Sequence, residues 1–380
     1  MRHLTLIKSE LSHAGGLEKW AWKLAEDFCQ LDTHVTLLTS GDVTPLFTHP
    51  NLTLHALPLR HRMSALKVYA FDRACTQFLA QHPTPLIFGL DRTQAQTHLR
   101  AGNGVHAAYL QARAHEEGWL KCSSFMLNPL HQLILHLERK AFENPQLQTL
   151  FTNSHMVRAQ IQQFYRVDPK KIQVVHNGVE WKAMQADFEL WHARRAAIAQ
   201  ENNLDLNQFQ LLFVGHNFRR KGLDKLLTAL VLLPDEPFQL SVVGHDKHLP
   251  RYKQLAKRLG LEKRVRFFGP ISGVRPFYQV ADALAIPSIY DPFANVTVEA
   301  LAMGLFVISS KYNGGCEVLT PSSGAVIENL DSPESFAAAL KMGFKHPKTP
   351  SSAQLIRSSV AHLDFSKQLR LITQATLRMA

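Results

Sequence analysis

Apolar and polar positions along the chain fall into short runs whose period changes at regular intervals. "HLTLI" alternates like a strand, "SHAGG" breaks the run, and "LEKWAWKLAEDFCQL" repeats its apolar residues at helical spacing. "HVTLLTS" then returns to a strand, and "TPLIFGL" (84–90), "LQTLFTNS" (147–154) and "IQVVHNG" (172–178) are apolar runs ending in turn residues. A polar, alanine-rich stretch between about 180 and 207 reads as a helical connector. The pattern then restarts: "FQLLFVGH" is a strand, "GLDKLLTALVLL" a helix, "FQLSVVGH" a strand and "RYKQLAKRLGL" a helix. "VRFFG", "RPFYQVA", "ALAIPS", "VTVEALAM" and "LFVISS" continue the alternation, and the tail from "SSAQLIRSS" onward closes in helices.

Strands separated by helices imply parallel sheets joined by right-handed crossovers. Two such blocks predict an α/β chain of two Rossmann-like, doubly wound domains facing across a cleft. The first spans 1–180, the connector 181–206 and the second 207–362, with a helix within 363–380 packing back on the first. Ligands of such sheets bind beyond the carboxyl ends of the strands.

Composition narrows the function. Of 380 residues, 46% are hydrophobic and 19% charged, which excludes large-scale disorder. Cys29, Cys75, Cys122 and Cys316 are far apart and form no CxxC pair, which fits a reducing compartment. The start "MRHLTLIKSE" is too short and polar for a signal peptide, and no window approaches 18 uncharged apolar residues, so a cytoplasmic protein is expected. The formal charge of +11 admits nucleic acid, an anionic membrane surface or a phosphorylated substrate. The basic residues are spread along the chain without an aromatic-basic signature or zinc finger, which argues against nucleic acid.

Candidate chemistry concentrates in the second half. In "YDPFANVTVEALAMG" (Tyr290–Gly304), Asp291 and Glu299 flank the start of a helix expected near Asn295 or Val296. The amides of Ala294, Asn295, Val296 and Thr297 would form an anion site at the positive end of that helix. Carboxylates beside a phosphate would repel it, so they are expected to bind hydroxyls, and a sugar nucleotide supplies both groups. The plainer alternative makes Asp291 a turn cap and Glu299 a solvated residue. "FVGHNFRRKGLDKLL" adds Arg219, Arg220 and Lys221 on a strand-to-helix loop. Cations there would neutralise a diphosphate leaving group, a role worth roughly 3–4 kcal/mol per well-placed donor. Arg220 and Lys221 are the stronger candidates; a merely solvated charge run is the alternative.

In the first half, Gly15 and Gly16 occupy the first strand-to-helix turn, where their backbone would approach a phosphate or an acceptor closely. Gly102-x-Gly104-x-x-Ala107 mimics a dinucleotide fingerprint. The preceding "RTQAQTHLR" is too polar for the strand that motif needs, so a nicotinamide cofactor is not expected. "WLKCSSFMLNPLHQLILHLERKAF" (119–142) reads equally as a membrane-interface segment or a buried one. His131 and His136 lack the spacing of a zinc helix, and neither a metal nor another cofactor is expected.

"PSIYDPFANVTVEALAMGLFVISSKYNGGCEVL" resembles the donor signature of the retaining glycosyltransferases of family 4, a Glu-x7-Glu pair followed by Gly-Gly, with an Asp, one methylene shorter, at the first acid. Here these are Asp291, Glu299, Gly314 and Gly315. "VVHNGVE", "TNSHMVRAQI" and "SVVGHDK" are similar to further family segments, and "RAGNGVHAAYLQAR" resembles a run in its lipopolysaccharide core glucosyltransferases, with Asn103 at a position often Asp.

The resemblance implies a GT-B fold and metal-independent transfer of a hexose, UDP-glucose favoured, to a lipopolysaccharide-core or similar lipid-linked envelope saccharide. The work would be done on the cytoplasmic face of the inner membrane. It implies that Asp291 orients the donor sugar, Glu299 holds the ribose and His106 faces the transferred sugar. Gly15 and Gly16 would border donor phosphate and acceptor. His216 stands where many members have Arg, and Arg220 is expected to supply that charge. Two readings of other classes remain: a sugar-nucleotide epimerase of the same fold, which needs a second acid/base beside His106, and a non-catalytic sugar-nucleotide or membrane-binding protein.

Overall fold

The computed structural model describes the chain except residues 12–15, 42, 58, 60–62, 119–123, 126 and 379–380. The expected site residue Gly15 and part of the apolar segment 119–142 lie outside the described residues. The chain divides into two compact units, Met1–His176 with Gln368–Ala380, and Asn177–Lys367.

The first unit is built on β1 (Arg2–Ile7), β2 (Thr33–Ser40), β3 (Leu52–Leu57), β4 (Leu86–Gly89), β5 (His98–Arg100), β6 (Thr149–Thr152) and β7 (Ile172–Val174). All pair in parallel in the order β3-β2-β1-β4-β5-β6-β7. Its helices begin where the sequence offers caps. Asn128 accepts from the amide of Leu130 ahead of Pro129–Phe142, and Ser154 from Val157 ahead of His155–Phe164.

The second unit carries β8 (Phe209–Val214), β9 (Phe238–Val243), β10 (Val265–Gly269), β11 (Ala283–Ile286), β12 (Phe306–Ser310) and β13 (Gly324–Ile327), again all parallel, in the order β10-β9-β8-β11-β12-β13. Both faces of this sheet are covered, which is why its strands read as continuous apolar runs such as Leu211, Leu212 and Phe213. Helix Leu223–Val231 buries Leu223, Leu226, Leu227 and Leu230, the spacing of one helical face, each worth about 1.5–3 kcal/mol of apolar burial. The stretch read as a connector holds helices Gln185–Glu189 and Trp191–Glu201 and belongs to this unit. The last helix, Phe365–Arg378, belongs from Gln368 onward to the first unit, where Thr373 donates to Asp27 at 2.8 Å.

Each sheet has one place where the strand order reverses direction: between β1 and β4 in the first unit, and between β8 and β11 in the second. In open α/β sheets, the edge beyond the carboxyl ends of two such strands is where ligands bind. In the second unit the loops after β8 and β11 carry Arg219–Lys221 and Asp291.

Candidate functional site

β8 ends at Val214, and the chain turns through Gly215, His216 and Asn217, the last in the left-handed region at φ 57°. Asp246, from the loop after β9, pins this turn by accepting from the amide of Phe218 at 2.7 Å and of His248 at 2.7 Å. The cationic run then feeds into helix Leu223–Val231 through Gly222, at φ 76°. A Cβ at Gly222 would stand 2.0 Å from the carbonyl oxygen of Pro287, so only glycine lets this loop lie against the end of β11. The amide of Ile289 completes the contact by donating to the carbonyl of Arg220 at 2.9 Å.

That close approach brings three predicted residues into one ion cluster. Lys221 Nζ donates to Asp291 Oδ2 at 2.7 Å, and Arg220 Nη1 reaches the same oxygen at 3.2 Å. Lys221 and Asp291 are buried while Arg220 is half-exposed. Asp291 is fixed from its backbone: its amide donates to Tyr312 O and its carbonyl accepts from the amide of Gly314, both at 2.9 Å.

The helix predicted to follow runs over Asn295–Ala302. Its amino end differs from the expectation in one respect. The amide of Ala294 donates to Asn313 Oδ1 at 2.9 Å, and that of Thr297 to the carbonyl of Ala294 at 3.0 Å. Ala294 and Thr297 are buried, so among the described residues the amides of Asn295 and Val296 remain as the open donors of the helix end. Asn177 Nδ2 donates to the side-chain oxygen of Asn295 at 2.7 Å and to the carbonyl of Phe293 at 3.2 Å. Glu299, in the next turn, accepts from the phenol of Tyr278 at 2.8 Å. His216 is exposed at the loop's start, its Nδ1 accepting from the amide of His245 at 3.3 Å.

Two residues that sequence reasoning passed over organise this edge. Asn313 is fully buried: its Oδ1 accepts from Ala294 N and Gly315 N, and its Nδ2 donates to Thr297 Oγ1 at 3.1 Å and Ser309 Oγ at 2.9 Å. Its one sequence signal is position, directly before Gly314-Gly315. Tyr278 lies in the run "RPFYQVA", where its apolar neighbours hide its polar tip.

The first unit closes its own switch point with a similar pair. Lys8, one residue beyond β1, lies 3.2 Å from Asp91, which follows β4 and also accepts from the amide of Ser9 at 2.6 Å. Gly16 is the first residue of helix Gly16–Gln30. His106 opens helix His106–Glu117, and its amide donates to both oxygens of Glu138 at 2.9 Å. Glu138 is a wholly buried carboxylate that also accepts from Arg92 Nε at 2.7 Å and Tyr165 Oη at 2.6 Å, a negative charge at the positive end of the helix. The ring of His106 meets His131, Nε2 to Nδ1, at 3.1 Å. Burial, then the charges of Arg92, His131 and Arg113, brings the His106 pKa down to about 3, so the imidazole is neutral at physiological pH. Burial and Arg113 lower His131 as well.

Among the described residues no helix is long and apolar enough to cross a membrane. The family model for glycosyl transferases group 1 matches residues 194–357, and the model for Glycosyltransferase Family 4 matches residues 14–181. The chain is 25% identical over 335 residues to the lipopolysaccharide glucosyltransferase WaaG of Escherichia coli K12, covering 86% of this chain and 85% of the relative. The crystal structure of WaaG, a glycosyltransferase involved in lipopolysaccharide biosynthesis, superimposes with a TM-score of 0.78 at 22% identity, covering 98% of this chain and 99% of the other. The Anabaena protein HepE in complex with UDP-glucose gives 0.66 at 16% identity over the whole of both chains. These likenesses show the GT-B fold. With one family model on each half and that fold along its length, the chain belongs to glycosyltransferase family 4.

Proposed function

We propose that this glycosyltransferase moves a hexose, with UDP-glucose as donor, onto a lipopolysaccharide-core or similar lipid-linked envelope saccharide, with retention at the anomeric carbon. The observation that carries the reading is the convergence of Arg220, Lys221 and Asp291 beside the amino end of helix Asn295–Ala302. Support for donor and acceptor class comes from relatives: WaaG is named a lipopolysaccharide glucosyltransferase, and HepE was solved with UDP-glucose.

The sugar's C1–oxygen bond to the diphosphate breaks and its electron pair leaves with the diphosphate. Arg220 and Lys221, with the amides of Asn295 and Val296, stabilise that charge. The acceptor hydroxyl bonds to C1 from the same face and passes its proton to a diphosphate oxygen. Asp291 orients the donor sugar, Glu299 holds the ribose, and neutral His106 lines the reacting face. Because the two cations compensate the leaving group, the reaction in this reading requires neither a metal nor another cofactor.

The acceptor class places the work at the cytoplasmic face of the inner membrane. Helix Pro129–Phe142, with the exposed Arg139 and Lys140, and the neighbouring Leu127, which is 84% exposed, supply cations and an apolar contact for anionic headgroups.

The test incubates the purified chain with UDP-glucose and a truncated lipopolysaccharide core, with and without EDTA. An α-linked glucosyl product that forms equally in EDTA and disappears in Lys221→Ala supports the reading. Conversion of UDP-glucose to another sugar nucleotide without acceptor would mark an epimerase instead. A saturating nucleotide, at 100 times its Kd, stabilises a protein by about 2.7 kcal/mol. A flat thermal-shift panel of UDP, GDP, ADP and CMP would therefore overturn the donor site. Sedimentation with phosphatidylglycerol vesicles but not phosphatidylcholine ones checks the membrane contact.

A further inference from the structure

Tyr278 is fully buried in helix Arg275–Val280, between Phe277 and Gln279, which are buried too. Phenylalanine would fill the same space without bringing a hydroxyl into the core, so the hydroxyl needs a reason. Its partner is Glu299, whose Oε2 accepts the phenol proton at 2.8 Å. The tyrosine is itself anchored at the main chain. Its carbonyl accepts from Lys348 Nζ at 2.9 Å, and its amide donates to the carbonyl of Val274 at 3.2 Å. Lys348 is buried as well, 5% exposed. The phenol is therefore a fixed donor aimed at a half-buried carboxylate on the helix that borders the donor site.

We propose that Tyr278 is a positioning residue for nucleotide recognition: it locks the Glu299 carboxylate in the orientation that takes the ribose hydroxyls and thereby sets selection of a ribonucleotide over its deoxy counterpart. The inference rests on the reading of Glu299 as the ribose acid. A glutamate on a helix surface has three freely rotating side-chain torsions, and ordering them on binding costs affinity. A charge-assisted O–H···O⁻ bond from an immobile phenol removes that cost in advance. An ionised carboxylate has about four lone-pair sites, so a bond to Tyr278 still leaves acceptors for a vicinal diol. Burial, then the charge of Glu299, holds the Tyr278 pKa well above the ordinary tyrosine value, so the phenol stays a donor throughout the working pH range.

The experiment measures equilibrium binding of UDP, ADP and GDP, each against its 2′,3′-dideoxy form. The wild-type chain is expected to prefer the ribo form of its cognate diphosphate by about 10-fold or more. Glu299→Gln should bring that ratio close to unity. Tyr278→Phe should lower it by roughly 3–10-fold and have no further effect when combined with Glu299→Gln. If Glu299→Gln leaves the ratio unchanged, the ribose reading of the site fails. If Glu299→Gln collapses the ratio while Tyr278→Phe weakens ribo and dideoxy forms equally, the ribose reading stands and this proposal is overturned. Should Tyr278→Phe not fold, a difluorotyrosine incorporated at position 278, a stronger phenol donor of nearly the same shape, must change the ratio; an unchanged ratio overturns the proposal equally.

Discussion

Lys221 Nζ stands 2.7 Å from Asp291 Oδ2, and Arg220 shares that one oxygen at 3.2 Å, although the acid and the cations leave different strands, β11 and β8. Asp291 is thus the counter-ion of both cations. In the proposed reaction a diphosphate at this edge would compete with it, and the outcome would turn on how many charges each side brings. The topological reversal between β8 and β11 supplies the place, and Gly222 supplies the closeness.

Replacing Lys221 by alanine removes a buried cation that pairs with Asp291 and that, in the proposed reaction, also faces the leaving group. Expected is a drop in kcat of about 10²–10³-fold, as for other single transition-state charge donors. Nucleoside diphosphates should lose their thermal shift in the same variant. Steady-state kinetics and a melting curve read both effects. An unaltered kcat would remove Lys221 from the machinery and leave it as a structural partner of Asp291.

Asp291→Asn should separate binding from turnover. Without the carboxylate, Lys221 and Arg220 meet the diphosphate unneutralised, and free UDP is expected to bind about 3–10-fold more tightly. Transfer should still fall at least about 10-fold, because the group proposed to orient the sugar is lost and the product leaves more slowly. Titration calorimetry against initial rates tests the split. Weaker UDP binding would mean that Asp291 serves chiefly to hold the cations in place.

The periodicity revealed most of this architecture because parallel strands covered on both faces must be apolar throughout. Two of the strands it passed over are informative. β3 (Leu52–Leu57) is a sheet edge, mostly exposed or half-exposed, and carries too few buried positions to stand out. β5 (His98–Arg100) lies in a segment judged too polar for a strand, yet all its residues are buried. His98 stacks on Phe88, and the guanidinium of Arg100 lies 4.2 Å above the Trp20 ring, so aromatic faces shelter the polar side chains. At the candidate site, the residues that carry charge were legible as types: Arg220, Lys221, Asp291 and Glu299. Those that act by orienting them were not, because Asn313, Tyr278 and Glu138 draw their importance from partners distant in sequence. Their hydrogen bonds span 16 residues for Asn313 to Thr297 and 32 for Glu138 to His106.

Asn313→Ala strips partners from two buried amides and two buried hydroxyls at once. A buried polar group left unpaired costs roughly 1–3 kcal/mol, and the groups share one network, so a loss of about 2–4 kcal/mol in the second unit is expected. Because that network includes the amide of Ala294 at the helix end, UDP affinity should fall with it. Asn313→Asp, which keeps the acceptor for Ala294 and Gly315 but not the donor, should recover part of both. Thermal unfolding and UDP titration of the pair check this; an alanine variant as stable as wild type would refute the organising role.

The first unit should be the acid-sensitive one. His98 is wholly buried and its Nε2 has no hydrogen-bond partner among the described residues. Burial brings its pKa down to about 4, and burial with Arg92, His131 and Arg113 brings that of His106 to about 3. The unfolded chain therefore takes up protons near pH 6.5 that the folded chain refuses until much lower pH. Stability from these residues is complete above pH 6.5 and is lost as pH falls toward 4, by about 1.4 kcal/mol per pH unit for each histidine. Between pH 7 and pH 5 the first unit should lose about 2 kcal/mol through each. Pulse proteolysis in urea follows the two units separately, and His98→Gln should remove about 2 kcal/mol of the first unit's loss between pH 7 and pH 5 while leaving the second unchanged. A pH dependence of equal size in the variant would mean that groups other than His98 carry the proton linkage.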